Sequence, residues 1–199
     1  MKNIIPKDSR YVPLVQQPYC CVPACISMIM LKHKIPLVSQ ELLGYYLGLV
    51  IPKKDKKFFW NPRTGKKPLS GGYGTQIRKK RYHPNTVFPK LKIPLKMKYY
   101  SREEFNNIKE YTCFIKKVVR ENRDVLVCYN YRALYGIGNN GGHVSLIEKV
   151  IPGDKEVRLV DPTRWRAKWR IVEIKKLVKA IEVHQLENCP GFWEFIKIK

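Results

Sequence analysis

Acidic residues are scarce in this chain: 16 Asp and Glu stand against 39 Lys and Arg, a formal charge of +23. Long apolar runs are missing altogether. Nothing approaches the ~20 residues that cross a bilayer, so no membrane-spanning helix is expected. The segment Met1 to Asp8 carries Lys2, Lys7 and Asp8 and no extended apolar stretch. That pattern is not a secretory signal, and a cytoplasmic location is the expectation. In that compartment the six cysteines (Cys20, Cys21, Cys25, Cys113, Cys128 and Cys189) are expected as reduced thiols. Cys113 and Cys128 lie in apolar stretches and are expected to pack as small hydrophobes. A structural zinc site needs two paired clusters, and Cys20, Cys21 and Cys25 have no second one, so no metal and no cofactor is expected. There is no internal repeat and no low-complexity tract, which removes solenoids and arrays.

What is present describes a globular protein: hydrophobic residues make up 44% and aromatics 12%. A chain of this length buries about 70% of its unfolded surface and needs no staples. The positive charge is concentrated. Residues 51–98 hold 15 basic residues against one acid, Asp55, a net +14. That segment is rich in Lys, Gly and Pro and reads as a basic irregular insertion within one domain spanning residues 1–199, with one short helix after Thr75. Such a field favours an anionic partner, either an acidic peptide or protein or a nucleic acid. Phe58, Phe59, Trp60, Tyr73, Tyr82 and Phe88 alternate with its cations, as a groove that stacks bases would require. No recognised nucleic-acid motif accompanies them.

Outside that segment the periodicity is clear. Residues 22–33 read as a buried helix with Pro23 in its first turn. Ser39 caps a second helix through Leu47. Ser101 to Glu104 matches a capping box opening a helix to Arg120. Strands are expected at 125–129, 144–150, 157–160 and 192–198, with a turn at Pro152-Gly153-Asp154 and a helix at 173–181. Helices followed by antiparallel strands make an α+β fold.

The chemistry concentrates in three places. Cys21 precedes the Pro23 helix start, where unpaired N–H groups and the positive dipole end favour a thiolate nucleophile. A glutamine a few residues upstream can donate its amide N–H to a developing oxyanion. Gln16 and Gln17 are the two candidates. Of the four histidines, His33 closes a helix, His83 precedes Pro84 in the basic segment and His184 lies in a polar connector. His143 alone follows a Gly141-Gly142 pair and leads directly into a strand. If that strand pairs with 157–160 about the Pro152-Gly153 turn, opposed positions sum to about 305. His143 then faces roughly Asp161 or Pro162 on one face of the sheet. A carboxylate there fixes the imidazole tautomer and stabilises the imidazolium.

These blocks resemble the papain-like cysteine peptidases, most closely the bacteriocin-processing double-glycine leader peptidases and their stand-alone relatives. Cys21-Val22-Pro23-Ala24 resembles their Cys-Gly-Pro-Ala helix start, Gly142-His143 their Gly-His strand, and Asp161-Pro162 their Asp-Pro pair. The resemblance covers roughly residues 11–47 and 124–163 and says nothing about 51–98. Val22 stands where the family carries glycine, and the glutamine lies closer to the cysteine than is usual. The resemblance implies a papain-like fold, N-terminal helices on an antiparallel sheet, and a cysteine peptidase acting through Cys21, His143, Asp161 and Gln17. The same set can also deamidate glutamine side chains or transfer acyl groups. A non-catalytic scaffold binding nucleic acid or an acidic partner is the remaining alternative.

Overall fold

The computed structural model describes residues 6–58, 65–138, 140–164 and 168–198. Helices α1 (Cys21–Lys32) and α2 (Gln40–Tyr46) come first, followed by two short parallel-paired strands, β1 (Val50–Ile51) and β2 (Leu69–Ser70). Next come α3 (Pro84–Lys90), β3 (Leu95–Ser101), α4 (Ile108–Arg120), β4 (Asp124–Asn130) and α5 (Tyr131–Tyr135). The chain then runs through β5 (Gly142–Val150), β6 (Glu156–Val160), β7 (Trp169–Glu173), α6 (Ile174–Glu182) and β8 (Gly191–Lys197). Six strands form one antiparallel sheet in the order β3-β8-β4-β5-β6-β7, so the fold is α+β as the order of elements implies. No helix among the described residues is long and apolar enough to cross a membrane.

The sheet is covered on both faces, which explains its composition. Successive strand residues point to opposite faces. Leu126 and Cys128 of β4 therefore pack with Ile26 and Ile29 of α1, while Val125 and Val127 pack with Ile115 of α4 and Leu177 of α6. A strand buried on both sides has no solvent face to mark with polar residues. Helix α1 is apolar nearly all round because it is enclosed. Each fully buried aliphatic side chain there contributes about 1.5–3 kcal/mol.

Two expectations need correction. Residues 51–98 are not one irregular stretch: α3 packs Val87 and Phe88 into the core, and β3 forms the sheet's edge. β3 escaped notice because its Leu95-Lys96-Met97-Lys98 alternation sits in a field of charge, yet lysines on an edge strand discourage further pairing. The second concerns Ser101. Its capping box with Glu104 forms, but it opens only a 3-10 turn at Arg102–Glu104. Ser101 is still the last residue of β3, and Asn107 caps α4 by accepting from the amides of Lys109 and Glu110. Of the six aromatics singled out in the basic segment, Phe59 and Trp60 lie outside the described residues.

Candidate active site

The chain enters α1 through a strained turn. The Cys20 amide donates to the Gln17 carbonyl at 2.9 Å across Pro18 and Tyr19, and Tyr19 has φ +66°. Proline then a residue at positive φ is a type II turn, where glycine is usual at Tyr19's position. The strain is held where it sets the approach of Cys20 and Cys21 to the helix. Cys20 turns inward and is fully buried with Leu49 and Ile51, and burial pushes its thiol pKa well up. Cys21, the next residue, is partly exposed. Burial likewise raises Cys25 and Cys128, and raises Cys189 to about 11. Val22 packs its side chain into the core, so it does not stand over the sulfur. Cys113 is exposed on α4, contrary to the expectation of a packed thiol.

His143 sits near the start of β5, opposite Tyr129 of β4. The rings of Tyr129 and Tyr131 meet it edge-on, with centroids at 5.8 and 5.3 Å. Its Nε2 is 2.9 Å from Asp161 Oδ1 and 3.3 Å from Thr163 Oγ1. That commits Nε2 to the carboxylate, and the Cys21 thiol also acts on the imidazole, helping to raise its pKa. The hairpin pairs Leu146 with Val160 and Ile147 with Leu159, one residue from the expected register, with a bulge between Ile147 and Lys149. Continued, this register sets Asp161 against Ser145, so His143 reaches the carboxylate diagonally on the same face. Cys21 comes from the helical layer on one side of the sheet. His143 and Asp161 belong to the face that carries Tyr129 and Leu159. The three meet at the sheet's end.

Electrostatics favour a charged imidazole. Burial alone lowers the pKa of His143, but Asp161 outweighs it by charge and hydrogen bond, Cys21 adds to the effect, and the pKa rises to about 10. Asp161 is fully buried, which raises its pKa. His143, and then Thr163 through its hydroxyl and amide, nevertheless hold it below the usual carboxylate range. Arg170 of β7 adds a second cation, its Nη1 3.4 Å from Asp161 Oδ2 and its guanidinium over the Tyr135 ring. Thr163 and Arg170 went unnoticed in the sequence. Thr163 stands two residues beyond Asp161, the spacing of a local side-chain turn, and was open to notice. Arg170 becomes visible only once β7 is known to pair with β6.

The two glutamines are placed differently. Gln17 turns its side chain to solvent, and its amide N–H donates to Gln40 Oε1 at 2.8 Å. Gln16 is tied by its amide to the Pro162 carbonyl at 2.9 Å, and the oxygen of its side-chain amide is buried with no partner. Gln40, which no local pattern in the sequence marks, also donates to the Val15 carbonyl and so holds the 15–17 stretch against α2. Among the other histidines, His33 pairs with Asp124 at 2.5 Å and His83 caps α3. His184, expected in a polar connector, is buried against Gly142, where an added Cβ would lie 2.6 Å from its Nε2. Among the described residues no group of three or more His, Cys, Asp or Glu could hold a metal ion.

No protein-family model and no curated protein matches this sequence. Among solved structures, one from Bacillus anthracis described as a candidate C39-like peptidase superposes with a TM-score of 0.55. The match covers 94% of this chain and 96% of that one at 16% identity. At that identity the likeness is one of architecture: the chain has a C39-peptidase-like, papain-like fold.

Proposed function

We infer that the protein is a cysteine-dependent hydrolase, most simply a peptidase, with Cys21 as nucleophile, His143 as base and Asp161 as the residue that orients the base. The observation that carries this reading is the buried His143–Asp161 pair at 2.9 Å, with the Cys21 thiol near enough to raise the imidazole's pKa further. In this reading the thiol proton already rests on His143, and the Cys21 thiolate paired with that imidazolium attacks the carbonyl carbon. The imidazolium then returns that proton to the leaving amine, and water hydrolyses the thioester by the same exchange in reverse. Asp161, kept anionic by His143, Thr163 and Arg170, fixes the tautomer and stabilises the imidazolium. Gln16, rather than Gln17, is the proposed side-chain oxyanion donor. Its backbone is tied to Pro162, next to Asp161, and its side chain is more enclosed than that of Gln17, which faces solvent. The Cys21 backbone N–H, in the first turn of α1 and without an intrahelical acceptor, is the second donor.

The test is intact mass after incubation with peptide aldehydes or vinyl sulfones. Wild type is expected to gain one adduct, mapped to Cys21, and Cys21→Ala none. Adducts distributed over several cysteines, or none at all, would remove the reading. Product analysis with peptides, glutamine amides and acyl acceptors then separates peptidase from deamidase and acyltransferase.

A further inference from the structure

The basic segment is fastened to the turn that delivers Cys21. Tyr19, two residues before the nucleophile, donates its hydroxyl to Asp55 Oδ2 at 2.5 Å, and its ring lies 5.8 Å from that of Tyr73. Asp55 is the only acid between residues 51 and 98, and the hydrogen bond to Tyr19 occupies it. That bond, and then burial, raises the Tyr19 pKa to about 12, so the hydroxyl stays a donor. The same 3-10 turn that supplies Asp55, Lys53–Phe58, leaves Lys53 and Lys54 exposed beside the fastening. Tyr73 is 72% exposed, and β1 and β2 hold its loop in place through the Val50 amide, which donates to Gly74 O at 2.7 Å. Lys67 is exposed beside β2.

We propose that the parts of this segment beside the fastening, residues 53–57 and 67–74, form a substrate-reading wall, and that the polypeptide they present to Cys21 carries Asp or Glu within a few residues of the reacting carbonyl. The proposal rests on the hydrolase reading above and names its substrate class. A solvated loop needs no attachment to a strained turn beside a nucleophile. This one commits its single carboxylate to that attachment and turns lysines outward next to it. An acidic peptide supplies both the opposite charge and a carbonyl for the thiol, whereas a nucleic acid supplies only the charge.

Two measurements separate the possibilities. With Cys21→Ala as a non-reacting binder, anisotropy compares labelled peptides of one sequence in acidic, amidated (Asn/Gln) and lysine forms with a single-stranded oligonucleotide. The acidic peptide should bind best, and its advantage should vanish near 1 M salt, where the Debye length is about 3 Å. Reversing two cations in the same background, K53E with K54E, should weaken acidic-peptide binding about tenfold, because two exposed attractions become repulsions. An unchanged melting temperature shows that this double variant is folded. The second measurement gives wild type a proteome-derived peptide pool and reads Asp or Glu enrichment around the cleaved bonds. Equal binding of the three peptides, tighter binding of the oligonucleotide, or cleavage without acidic enrichment would each overturn the proposal. Acidic-peptide binding by a protein that cleaves nothing would sustain the wall and remove the hydrolase reading.

Discussion

At the scale of single residues the account makes opposite demands on two neighbours. Gln16 is tied to Pro162 and buries an unpaired amide oxygen, while Gln17 faces solvent. Gln16→Ala should lower kcat by about 10²–10³-fold, as loss of one oxyanion donor does, with Gln17→Ala near wild type. Steady-state rates on any turned-over peptide decide it, and the reverse ranking would return the role to Gln17. Asp161 gives a pH signature. Because its charge raises the His143 pKa, Asp161→Asn should shift the alkaline limb of the rate profile to lower pH. A limb that stays in place would mean that another group sets it. The candidate cysteine, histidine and aspartate each sit at a local landmark of the sequence: a helix start after Cys20, a Gly-Gly pair and a strand end. Gln16 was not separable from Gln17, since the difference is the direction each side chain takes from an irregular segment. Such directions are fixed by tertiary bonds, here those to Pro162 and from Gln40.

At the scale of elements, local signals identified those elements whose apolar pattern matched their burial. Helix α1 and strands β4, β5, β6 and β8 fall where their runs of Val, Leu, Ile and Phe place them. β7, an edge strand with Arg170 and exposed Ile171, lacked such a run. The start of α4 was misread because two capping signals lie six residues apart and only the second faces a helix. Asn107 accepts from two amides of α4, so Asn107→Ala should cost about 1 kcal/mol. Ser101→Ala, at a 3-10 turn, should cost less. Urea unfolding of the two variants checks the order, and a larger loss at Ser101 would restore the longer helix.

At the scale of the whole molecule, the candidate site lies where residues from the two layers covering the sheet come together. The thiol comes from the α1 side and the imidazole and carboxylate from the other, a juxtaposition that no local pattern encodes. The ion pair also ties stability to pH. His143 has a folded pKa above its unfolded value, so its contribution is complete below about pH 6.5 and is lost as pH rises toward 10. Asp161 is depressed, so its contribution is present above about pH 4 and is lost on acidification. The stability gap between wild type and His143→Gln should therefore be widest between about pH 4 and 6.5, read by chemical denaturation across pH. A gap independent of pH would mean that the pair is uncharged. The claim on which everything else depends is that thiol and imidazole act as one unit across the sheet. It is tested most directly by brief iodoacetamide labelling at about pH 6, where an ordinary thiol is under about 1% ionised, followed by peptide mapping. The account predicts that Cys21 is labelled well ahead of exposed Cys113 and the four buried thiols, and that His143→Ala abolishes that lead. Slow, equal labelling of all six, or a lead that survives loss of the imidazole, would contradict it.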